Sequence, residues 1–116
     1  MKKLIVPTLL MLSALLVTGA DLTGTWSVAV MLDAGSGAAT FTFKQTGEAL
    51  SGTYSGTFGQ AQVTGTVKGD QIEWSFDSDQ VGKITYQGKL DGSGKMTGTV
   101  IYGQLGKGTF AGEKKP

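Results

Sequence analysis

The chain has 116 residues, with 10 lysines against 9 acidic groups and no cysteine, histidine, arginine or asparagine. That length suits one small domain. The missing residue types remove the thiol nucleophile, the commonest general base, the usual zinc ligands and any N-glycosylation acceptor, and the near-neutral charge leaves no basic stripe to follow a nucleic-acid backbone.

In chain order, the first feature is an export signal. Met1-Lys2-Lys3 is basic, Leu4 to Val17 is apolar, and Thr18-Gly19-Ala20 is a small-residue cleavage site. A membrane span needs ~20 apolar residues; this run is shorter and Pro7 interrupts it. A lipoprotein signal needs a Cys where Ala20 stands. The expectation is therefore cleavage after Ala20, a secreted or periplasmic protein with no stable membrane anchor, and a single domain over 21–116. Removing Lys2 and Lys3 from the 10 lysines leaves 8 against 9 acidic groups, a net charge of −1. An exported domain this small without disulfides has to be held by its core alone, which favours a compact, closed fold.

After Ala20 no helical period is sustained, and period-two alternation recurs instead. Trp26, Val28, Val30 and Leu32 alternate with polar or small residues. The pattern returns at Phe41 and Phe43, at Leu50, Gly52 and Tyr54, and at Ala61, Val63, Gly65 and Val67. It continues at Ile72, Trp74 and Phe76, at Ile84, Tyr86, Gly88 and Leu90, at Met96, Gly98, Val100 and Tyr102, and at Gly108, Phe110 and Gly112. These are eight strand candidates. The breaks are rich in turn residues: Asp33 to Gly37, Thr46-Gly47-Glu48, Gly69-Asp70, Asp77-Ser78-Asp79, Asp91 to Gly94, and Gly103-Gln104. Lys68-Gly69-Asp70-Gln71 reads as a two-residue hairpin turn with Gly first. Every strand has one apolar and one polar face, and the links are short. The predicted fold is all-β, an eight-stranded antiparallel up-and-down barrel, which buries the apolar face and abolishes sheet edges. A two-sheet sandwich is the rival.

One motif repeats: LSGTY at Leu50 to Tyr54, VTGTV at Val63 to Val67, and MTGTV at Met96 to Val100. The alternation points Gly inward and Thr outward, where a β-branched side chain suits a pleated surface. An inward Gly has two readings: it lets a strand coil and a facing ring approach, or it leaves room for a ligand. The interior also carries Trp26, Phe41, Phe43, Tyr54, Trp74, Phe76, Tyr86, Tyr102 and Phe110. An eight-stranded barrel can be filled by side chains or can hold one small ligand, and a filled base can coexist with an open mouth. Buried tyrosine hydroxyls would need partners.

Gly24-Thr25-Trp26 resembles the G-x-W opening of the calycin barrels, the lipocalins and avidins. The order of a GTW strand, a strand with Phe41 and Phe43, and then LSGTY after Thr46-Gly47-Glu48 is similar to the avidin order over roughly the first third of the mature chain. The resemblance implies a calycin-type barrel and places Tyr54 at the avidin pocket tyrosine. Val28, Leu32 and Gly56 stand where that family carries hydrogen-bonding pocket residues. They cannot bond a ureido ring, so the resemblance implies the fold and not biotin.

Other constellations read as structure. Asp77-Ser78-Asp79 with Glu73 lacks the six to eight oxygens of a calcium loop. Glu73 and Asp77 share the outward face, so they read as solubilising and not as a glycosidase pair. Gly103 to Gly108 precedes a strand, without the helix N-terminus that gives a phosphate loop its logic. The sequence therefore predicts no enzyme, no metal, no cofactor and no nucleic-acid partner. It predicts a small apolar or aromatic ligand in the barrel mouth, contacted by Trp26, Tyr54, Trp74 and Tyr86. The alternative is a filled barrel acting as a structural or protein-interaction module, such as a periplasmic inhibitor-like protein.

Overall fold

The computed structural model describes residues 21–33 and 35–115; the predicted export signal lies outside them. Eight strands follow one another: β1 (Gly24–Leu32), β2 (Gly35–Thr46), β3 (Ala49–Gly56), β4 (Gly59–Lys68), β5 (Gln71–Ser78), β6 (Gly82–Leu90), β7 (Lys95–Tyr102) and β8 (Lys107–Lys114). Each pairs antiparallel with the next, and β8 pairs with β1 to close the barrel. This is the predicted up-and-down topology. The only helical element among the described residues is one 3-10 turn, Gly103–Leu105.

The turns explain why the connections stay short. Lys68 pairs with Gln71 across Gly69-Asp70, and Gly69 has φ +63°. Thr46 pairs with Ala49 across Gly47-Glu48 in the same way, with Gly47 at φ +62°. Positive φ at the first turn position matches the twist of the flanking strands, and Gly reaches it without strain. Asp91 tightens the β6–β7 turn through its side chain: Oδ1 accepts from Ser93 N (2.8 Å), Ser93 Oγ (2.8 Å) and Lys95 N (3.3 Å). Ser78 Oγ accepts from Gln80 N and Val81 N at the end of β5, so Asp77-Ser78-Asp79 leads into a side-chain-capped turn.

One boundary differs from the sequence reading. Gly35 to Gly37 belong to β2, where a turn-rich break over Asp33 to Gly37 was expected. Low strand propensity loses to pairing here, since Leu32 lies opposite Gly35 and Val30 opposite Gly37.

The inward residues fill the barrel. Trp26, Phe41, Tyr54, Trp74, Ile84, Tyr86 and Val100 are each no more than 2% exposed. Leu22, ahead of β1, closes the end where the described chain starts. Its N–H donates to Gln45 Oε1 (2.8 Å), and its carbonyl accepts from Trp26 Nε1 (3.0 Å).

The inward glycines settle their own role. A Cβ on Gly52 would land on the Thr42 carbonyl oxygen, and one on Gly108 on that of Met31. At Gly65 it would meet the Glu73 carbonyl oxygen and Trp74 Cα at 2.7 Å; at Gly98, the Gln87 carbonyl oxygen and Gly88 Cα at 2.5 Å. At Gly88 it would meet Phe110 Cζ at 2.7 Å. These positions are occupied by neighbouring backbone or rings, so the glycines serve strand coiling and close ring approach. Gly37 is different: nothing approaches its missing Cβ closer than Thr57 Oγ1 at 3.9 Å. Gly98→Ala therefore lowers stability by about 1–3 kcal/mol through forced backbone displacement. Gly37→Ala changes it by less than about 0.5 kcal/mol. Urea unfolding of the two variants measures the contrast.

Candidate ligand recess

The interior rings form one connected cluster. Trp74 and Tyr86, opposite each other on β5 and β6, stack at 4.8 Å with planes 8° apart. Tyr54 and Phe76 stack at 4.2 Å. Phe41 sets its ring nearly perpendicular to both Trp74 (5.2 Å) and Tyr86 (5.2 Å). Phe110, on β8, does the same at 5.5 and 5.0 Å. Such edge-to-face pairs contribute about 0.5–1.5 kcal/mol each beyond the area they bury. Trp74 Nε1 is buried without a hydrogen-bond partner among the described residues. Phe41, Phe43 and Phe110 all set their rings near perpendicular to the indole.

The barrel has two unlike ends. Leu22 and Trp26 seal one. The other is formed by the β1–β2, β3–β4, β5–β6 and β7–β8 turns and holds an apolar recess of about 160 Å³. Val30, Leu32, Gly37, Phe58, Tyr102 and Leu105 line it. Phe58 comes from the two-residue turn between Gly56 and Gly59, and its ring lies 5.6 Å from that of Tyr102. Leu105 comes from the 3-10 turn and is 41% exposed.

Polar groups converge beneath this recess. Tyr54 Oη accepts from Phe58 N (3.2 Å), which fixes the β3–β4 turn over the barrel. The Tyr86 and Tyr102 hydroxyls share one hydrogen bond of 2.9 Å. Burial is the main cause that pushes both phenols above the ordinary tyrosine range.

A larger depression of about 470 Å³ lies on the outer wall, between Lys68, Glu73, Gln87, Lys89, Thr97 and Thr99. Its walls are largely polar and charged side chains, and Gln87 Nε2 reaches Glu73 Oε2 within it at 3.4 Å. An apolar ligand gains by leaving water, so the smaller recess at the turn end is the candidate site.

The four residues chosen from sequence occupy different depths. Tyr54, Trp74 and Tyr86 come together in the ring cluster below the recess, at 2%, 0% and 0% exposure. Trp26 lies apart from them, bonded to Leu22 at the sealed end. The recess wall itself is built by Phe58, Tyr102 and Leu105 with Val30 and Leu32. The alternation marked Val30, Leu32 and Tyr102 as inward but not as the outermost inward layer. Phe58 and Leu105 sit in turns, where periodicity is silent; an aromatic between Gly56-Thr57 and Gly59, and a Leu inside a glycine-rich loop, were the available signals.

No protein-family model matches this chain, and no curated protein matches it. Among solved structures, one described as a redesigned beta barrel is similar, with a TM-score of 0.65 at 18% identity, over 82% of this chain and 91% of that one. This likeness bears on the fold alone, and it agrees with the closed eight-stranded barrel.

The tyrosine pair carries a pH signature. Raised folded values mean that above about pH 10 the unfolded chain gives up phenol protons that the folded chain keeps. Stability is complete below that pH and falls as pH rises, by up to about 1.4 kcal/mol per unit for each tyrosine. In Tyr86→Phe the decline is roughly halved, since Tyr102 alone then contributes. Urea midpoints across that alkaline range, for the native chain and the variant, measure it.

Proposed function

We propose that the protein is an exported small barrel that takes a small apolar or aromatic molecule in the recess at its turn end. One observation carries this reading. The inner wall is filled by rings and aliphatic side chains, yet a concave apolar opening of about 160 Å³ is left at one end. An enclosed apolar cavity of about 150 Å³ binds benzene; this recess has a similar volume but opens to solvent, which suits one ring or a short branched chain with part of it left outside. Tyr54 and Tyr86 bond the recess residues Phe58 and Tyr102 from below, Trp74 stacks on Tyr86 one layer deeper, and Phe58, Tyr102, Leu32 and Leu105 give the recess contact surface. Binding, and not catalysis, fits a chain without His, Cys or Arg. Export rests on the basic, apolar and small-residue succession of residues 1–20. The calycin-type relationship rests on the GTW opening, the LSGTY strand and the meander.

A protein-interaction module is the second reading, and a specific observation favours it. Met31, Ile101 and Leu105, the exposed large hydrophobics among the described residues, are 62%, 51% and 41% exposed. All three lie toward the same turn end.

The full chain, expressed with its own leader and recovered from the cell envelope, has an intact mass starting at Asp21; a mass that retains residues 1–20 contradicts export processing after Ala20. Native mass spectrometry of that material shows a small-molecule adduct, or acquires one on addition of a one-ring hydrocarbon. Gly37→Leu places a side chain in the open space of the recess and abolishes the adduct while the barrel stays folded. An adduct unaffected by Gly37→Leu removes the recess from consideration.

A further inference from the structure

We infer that the recess selects apolar or aromatic molecules that carry one hydrogen-bond acceptor, a carbonyl or ether oxygen, and that the Tyr102 hydroxyl is the group that reads it. The inference rests on the recess being the ligand site. A phenol has one proton to donate, and the Tyr86 and Tyr102 hydroxyls share a single hydrogen bond of 2.9 Å. Two arrangements exist. If Tyr102 donates, the Tyr86 proton is left in an interior of 0% exposure, walled by Phe41, Trp74 and Phe110. An orphaned buried donor is disfavoured. If Tyr86 donates, the leftover proton belongs to Tyr102, and Tyr102 is the member of the pair that lines the recess. Among the described residues Tyr102 has no other hydrogen-bond partner for its hydroxyl. The second arrangement therefore holds, and the barrel presents the Tyr102 proton from the buried side of the recess, beside the exposed Ser36 and Thr57 hydroxyls that also line it. Tyr54 also keeps a proton of its own, since its oxygen only accepts from Phe58 N, but Tyr54 is not among the residues that line the recess. A ligand with an acceptor completes the relay from Tyr86 through Tyr102. A pure hydrocarbon leaves the Tyr102 proton unpaired.

The test uses two probes of nearly equal shape, acetophenone and α-methylstyrene, which differ by a carbonyl oxygen in place of a methylene carbon. The hydrocarbon leaves water more readily, so without a directed donor it binds the tighter of the two. Titration of the folded chain followed by NMR gives the affinities. The expected result is acetophenone tighter by roughly fivefold, with the order reversed in Tyr102→Phe. Equal binding, or tighter binding of α-methylstyrene to the native chain, overturns the inference and leaves the recess as the ligand site. If neither probe binds up to its solubility, or if both bind Gly37→Leu unchanged, the recess itself fails and the inference fails with it. The native-chain comparison decides the matter even if the Tyr102 variant does not fold.

Discussion

The structure depends on a steric constraint: at several inward positions the neighbouring strand lies where a Cβ would have to be. At Gly52, Gly65, Gly98 and Gly108 that space is taken by the carbonyl oxygens of Thr42, Glu73, Gln87 and Met31. Eight short strands close into a barrel only if they coil strongly, and coiling brings these carbonyls inward. Glycine is the residue that permits the approach. The outward threonines beside it offset the loss of strand propensity with a β-branched surface residue. The recurring Gly-Thr pair is one device with two halves, closure on the inside and stiffness on the outside.

The packing of the rings follows from that closure. Space vacated by glycine is used by aromatics from other strands: Phe110 over Gly88, and Trp74 beside Gly65. Rings meeting at near-perpendicular angles fill a narrow interior without many rotatable bonds. A chain with no cysteine obtains its rigidity in this way. The same filling drives tyrosine hydroxyls toward the turn end, where each can find one polar contact, and so joins the interior to the recess.

Most of the fold was legible in the sequence because strand periodicity survives wherever one face is buried. All eight strands and the Gly69-Asp70 turn were readable on that ground. The start of β2 was not, since Gly35 to Gly37 are held by pairing with β1 and not by their own preference. Leu22 and Val81, buried at 0% and 7% exposure, lie outside the strands, and alternation says nothing about them. The site was legible only in part for a similar reason. Period two tells inside from outside but not depth along the barrel, so the large rings Trp26, Tyr54, Trp74 and Tyr86 drew attention. The mouth is assembled from strand ends and turn residues whose positions depend on closure.

Depth along the barrel also separates what must stay fixed from what is free to vary. The ring cluster is completed by Phe41, Trp74, Tyr86 and Phe110 on four different strands, so stability does not wait for a ligand. A binding site in such a molecule belongs to the turns, supported by a core that is complete without it. Phe58 and Leu105 are turn residues; Leu32 and Tyr102 are the last inward positions of their strands, and Val30 is the inward position before Leu32. Of these, Phe58 is held to the core through its backbone N–H, and only Tyr102 through its side chain. Tyr102 is the point at which the hydrogen-bonded interior reaches the recess.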